Sequence, residues 1–143
     1  MAYKINQPKN VIIKAGATVA GVLEWDPGFA GKWNGRAELA QKFVDSEVLK
    51  QSAPYTPFQS GMLQKSGLFG TKIGNGEVVW NAPYARYVYY GKVMVGRAPK
   101  TLTDRDLTFH GAPKRGAFWF ERLKADRGAI IINGAKRIMG GGL

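Results

Sequence analysis

Asp26–Pro57, DPGFAGKWNGRAELAQKFVDSEVLKQSAPYTP, decides the fold. Trp33, Ala37, Ala40, Val44 and Val48 recur at steps of three and four, so on a helix they share one face. Leu39 and Phe43 add a second apolar strip beside it. Asp26-Pro27 is a start signal: an N-cap residue followed by a proline suited to a first turn. Gly28, Gly31 and Gly35 weaken the opening turns, each by roughly 1 kcal/mol against alanine. The pattern therefore predicts a dependable helix over 33–51, ended by Pro54 and Pro57.

Upstream, Val11–Ile13 suits a short strand, and residues 15–24 either extend it or lead as a loop into the helix. Downstream, Asn75-Gly76 is the preferred pair for a two-residue type I′ turn. Leu68, Phe69, Thr71 and Ile73 lie before it, and Val78, Val79 and Trp80 after it, which predicts a β-hairpin. APYARYVYYG, 82–91, is open to a helical turn or another strand, and Pro83 at a first helical position with Gly91 just past the last favours a short helix. Residues 92–117 show no sustained period and predict a long basic loop. AFWFERLKADRGAIIINGAKRIM, 117–139, reads as the second helix, with Phe120, Leu123, Ile130, Ile131, Ala135 and Ile138 as an interrupted apolar face. The fold class is α+β: a small antiparallel β-sheet packed against a long helix and a C-terminal helix, with a long extended loop. All 143 residues are expected to form a single domain.

Composition narrows the function. The net charge is +11. Residues 1–91 carry 10 basic and 6 acidic groups, and residues 92–143 carry 11 and 4, so the C-terminal third is the more basic part. Such a balance favours polyanions or acidic surfaces. There is no cysteine and one histidine, His110, in a glycine-proline stretch. A Ser-His or Cys-His nucleophile would have to use His110, and a zinc site would lack ligands. Asp104 and Asp106, with Arg105 between them, are a weak cation site. GAPKRG, 111–116, lacks the Lys-Ser/Thr of a phosphate loop. No enzyme, metal or cofactor is expected. No apolar run is long enough for a transmembrane helix, and the N-terminus lacks a signal-peptide core, so no membrane is expected as a partner.

Three motifs in fixed order carry a resemblance. SAPYTPFQSGMLQKSG places Ala53, Pro54, Gly61, Leu63 and Ser66; NAPYARYVYYGK places Tyr84, Ala85, Tyr87 and Gly91; GAFWFERLKAD places Phe118, Trp119 and Glu121. With a long helix before the first motif, this arrangement resembles the minor capsid, or tail-completion, proteins at the head–tail joint of tailed phages. The resemblance covers about residues 30–125. Ser60 stands where that family usually has threonine, and Tyr90 where it usually has glutamate.

The resemblance implies a structural protein of the virion neck, a head–tail connector made in the bacterial host cytoplasm. It implies a ring of copies, six-fold by analogy, around the DNA channel. A connector or stopper protein and a tail-tube protein would be its neighbours. Tyr84, Tyr87, Tyr89, Tyr90 and Arg97 are the candidate subunit interface, since tyrosine suits surfaces that are dry at one end and wet at the other. Lys92, Lys100, Arg105, Lys114 and Arg115 are candidates for loose, non-specific contact with passing double-stranded DNA. The alternative is a small basic nucleic-acid-binding protein that uses the C-terminal third, with Phe118, Trp119 and Phe120 stacking on bases. A toxin-like ribonuclease would have to work through His110.

Overall fold

The computed structural model describes residues 4–97, 99–109, 111 and 113–140. His110 lies outside the described residues. The element order is β1 (Val11–Ala15), β2 (Thr18–Leu23), α1 (Phe29–Ser52), α2 (Met62–Gly70), α3 (Ala85–Tyr90), β3 (Lys92–Val95), β4 (Thr101–Asp106) and α4 (Trp119–Met139). The architecture is α+β, with four helices and two antiparallel two-stranded ribbons, β1–β2 and β3–β4, among the described residues.

Helix α1 begins four residues before the expected Trp33. Distant groups offset the weak glycine turns. The Asp26 carboxylate accepts the Gly28 N–H at 2.8 Å. The Gln7 side chain accepts the Ala30 N–H at 3.0 Å. Asn34 both accepts from and donates to the Ile5 backbone, at 2.9 and 3.0 Å. The opening N–H groups of a helix have no partner within it, so borrowed acceptors fix where it starts.

Helix α4 runs antiparallel to α1, with Arg36 near Met139 and Tyr55 near Asp126. They come close at Gly134, where an added Cβ would overlap the Phe43 ring. Gly134→Ala therefore sets about 1 kcal/mol of helix propensity against an overpacking cost of about 1–3 kcal/mol. At Gly128 an added Cβ meets nothing nearer than Lys124 Cγ at 3.7 Å. We expect Gly128→Ala to stabilise and Gly134→Ala to destabilise. Urea midpoints for both test this, and equal gains would show that the Phe43 ring gives way.

The core lies at the α1 C-terminal end. Val48, Tyr55, Leu63, Ala85, Trp119, Leu123 and Ile131 are buried there, with Val44, Trp80, Tyr89 and Phe120 packed against them. Trp119 and Leu123 are each 1% exposed. Trp119 meets the Trp80 and Tyr89 rings edge-on, with centroids 5.8 and 4.7 Å away.

The expected hairpin over 68–80 does not form. Leu68 and Phe69 belong to α2, and residues 71–80 are a loop without strands. Gly74 and Gly76 take positive φ, whereas Asn75 does not, so the turn is not type I′. The reason lies on α1. The buried Asp45 carboxylate accepts the N–H groups of Gly74 and Gly76 at 2.8 and 3.1 Å, and Gln41 donates to its other oxygen at 2.8 Å. Thr71 Oγ1 accepts the Val79 N–H at 2.9 Å and closes the loop. A carboxylate from another element thus takes the Gly74 amide, which a hairpin would have paired across the turn, together with that of Gly76.

The segment expected as a continuous loop, 92–117, contains β3 and β4. The other strand prediction was partly right: Val11–Ile13 is extended, and the following residues form a second strand rather than a loop.

Candidate assembly surfaces

The PYTP turn is held by cations. Leaving α1, the chain has carbonyl groups at Ala53, Tyr55 and Thr56 with no helical partner. Arg115 Nη1 donates to Ala53 O at 3.1 Å and Thr56 O at 2.6 Å. Gln64 also donates to Ala53 O, and Gly116 N–H to Tyr55 O. Thr56 Oγ1 donates to Ser52 O at 2.9 Å. Positive groups at a helix C-terminus are favoured by its dipole as well as by these bonds. Tyr55 sits at the centre, with Lys114 and Arg122 over its ring and its hydroxyl donating to Asp126 at 2.7 Å. Gly61, at φ 79, then lets the chain reverse into α2.

This arrangement changes the standing of the candidate DNA contacts. Arg115 is spent on backbone carbonyls within the chain, and Lys114 lies over Tyr55. Lys92 pairs with Asp106 at 2.6 Å. Lys100 and Arg105 stand exposed on the β3–β4 ribbon, as does Arg97 at its tip. The five are thus not one patch. Lys124, Arg127, Lys136 and Arg137 are exposed along α4 and were not singled out from sequence. We expect Arg115→Ala to cost about 2 kcal/mol through the lost charge-assisted bonds. It should lower the urea midpoint with unchanged m, and a midpoint within error of wild type would show the clamp to be dispensable.

The tyrosines divide. Tyr89 is half-buried and stacks edge-on against Trp119, Phe118 and Tyr90. Burial, and then the nearby Glu121 charge, push its hydroxyl pKa above the ordinary tyrosine value. Tyr84 and Tyr87 are half-buried, and both line an open groove beside α2. Tyr90 is exposed. Of the aromatic run proposed for base stacking, Trp119 is buried, Phe120 is half-buried and Phe118 is exposed.

A larger feature was not foreseen: apolar side chains on the surface. Val11, Ile12, Ile13, Val19, Val22 and Leu23 of the β1–β2 ribbon are each about half-exposed, and both ribbon faces are open. On and beside α2, Phe58, Met62, Leu68 and Phe69 are exposed, Phe69 at 85%. The sequence signal was present in the apolar run at Val11–Ile13, which lacks the polar alternation of a one-sided strand.

Among the described residues, no three His, Cys, Asp or Glu side chains gather into a metal-holding group. Among them, too, no helix is long and apolar enough to cross a membrane. Set against protein-family models, curated proteins and solved structures, the chain matches none of the three.

Proposed function

We propose that this chain is a non-enzymatic assembly subunit: a minor capsid protein of a tailed phage, in the head–tail connector or tail-completion ring of the neck. The observation that carries this reading is the exposed apolar surface of the β1–β2 ribbon and of α2, of the kind that marks interaction sites. A solitary protein would gain nothing from so many exposed valines, isoleucines and phenylalanines. The motif resemblance supplies the kind of assembly. In that assembly the copies form a ring, six-fold by analogy, in the virion. They meet a connector or stopper protein and a tail-tube protein, and they surround double-stranded DNA without gripping it. The exposed cations of α4 and of the β3–β4 ribbon suit loose, salt-sensitive contact.

The engagement of Arg115 with backbone carbonyls and the burial of Trp119 favour this reading over single-strand binding by the C-terminal third. The test is to block the gene in its phage and view the lysate by electron microscopy. Filled or leaking heads beside free, normal tails are expected. Intact virions, or a lysate with no particles, would overturn the reading.

A further inference from the structure

The two apolar surfaces flank opposite ends of α1. The β1–β2 ribbon leads into its first turn, and α2 follows its last. Helix α1 has 24 residues, which at 1.5 Å each separates its ends by about 36 Å. One surface is convex, a bare ribbon. The other is concave, a groove lined by Met62, Leu68, Phe69, Pro83, Tyr84 and Tyr87.

We infer that the β1–β2 ribbon of one copy docks in the α2–α3 groove of the next, so that copies join head to tail. This rests on the reading of the chain as an assembly subunit. Two observations favour a second copy as the occupant. The first is charge. Copies carrying +11 each repel, so they meet most readily where charge is sparse. Between residues 11 and 23 the ribbon carries one charge, Lys14, and Lys65 is the charged residue lining the groove. An acidic partner would instead meet the cations of α4. The second is the ribbon itself. Two strands alone are marginal in water, and this pair, bulged between Ile13 and Lys14, has neither face covered. Contacts of unlike surfaces close into a ring when the rotation permits.

The chain has no cysteine, so single thiols can be placed at will. Val22→Cys and Leu68→Cys, both at exposed positions, are prepared separately, mixed and treated with a short bismaleimide. The expected product is the mixed Val22→Cys–Leu68→Cys dimer. Its yield should exceed severalfold that of either like pair and of a control thiol at exposed Ser46→Cys. Adding Phe69→Asp to the Leu68→Cys chain should lower it about tenfold, the factor of 1.4 kcal/mol. A dominant Val22→Cys like pair would overturn the inference in favour of ribbon on ribbon. Mixed dimer no higher than control would overturn it outright. Sedimentation of the wild-type chain separates this failure from failure of the assembly reading. If the wild type self-associates while the mixed dimer is absent, the docking inference alone falls.

Discussion

Trp119→Ala is expected to remove about 3–5 kcal/mol of folding stability, the cost of truncating a large, fully buried aromatic. The side chain is 1% exposed and touches Trp80 from the 71–80 loop and Tyr89 from α3. Its loss would therefore uncouple three segments, not merely leave a void at the start of α4. Domains of this size are stable by about 5–15 kcal/mol, so the variant should fold marginally or not at all. Trp119→Phe separates shape from hydrogen bonding. Trp119 Nε1 has no hydrogen-bond acceptor among the described residues, so phenylalanine forfeits volume but no bond. It should cost about 2 kcal/mol or less. Urea unfolding of both variants is the measurement. An alanine variant within about 1 kcal/mol of wild type would refute the hub role.

Asp45→Ala should cost about 3 kcal/mol, because two backbone amides lose a charged acceptor inside the fold. The effect has a local signature. Hydrogen exchange at Gly74 and Gly76 should quicken far more than exchange in the middle of α4. Asp45→Asn keeps one acceptor oxygen for the amides, so an intermediate effect is expected. Unchanged exchange at both glycines in the alanine variant would show that the loop holds its shape without the carboxylate.

Helix α1 was legible because its apolar steps are local and regular. Its true start was not, since Gln7 reaches the Ala30 amide across 23 residues and Ile5 is tied to Asn34 across 29. Leu68 and Phe69 look like strand residues, yet they continue α2. That helix presses Gly67 against Trp80 and Leu49, where a Cβ would come within 2.6 and 3.1 Å of them. Packing overrode propensity there. Asp45 had a readable sign, a carboxylate beside an apolar stripe, but nothing local linked it to a glycine-rich loop 29 residues on. Arg115 likewise looked like one more solvent cation, because its partners are carbonyls 59 and 62 positions away. The short helix at 85–90 was favoured over a strand by Pro83 and Gly91, and Gly91 does close it, but it starts at Ala85 rather than at the proline. The exposed apolar surface was the least legible part: exposure of an apolar residue depends on what fails to cover it.

The β3–β4 ribbon leaves the body through a locked doorway. Leu107 N–H donates to Gly91 O at 2.7 Å, and Phe118 N–H to Tyr89 O at 2.8 Å, so its two legs are stitched together where they emerge. What lies beyond the stitches can change length with little effect on what lies behind them, since doubling a loop costs only about 0.6 kcal/mol. A short peptide tag placed between Gly96 and Arg97 should leave the urea midpoint of the body unmoved, whereas the same tag between Gly116 and Ala117 should lower it. The body and the arm are then separate design problems for evolution, with the arm able to lengthen, shorten or change its tip to suit a new neighbour while the helices behind it stay the same.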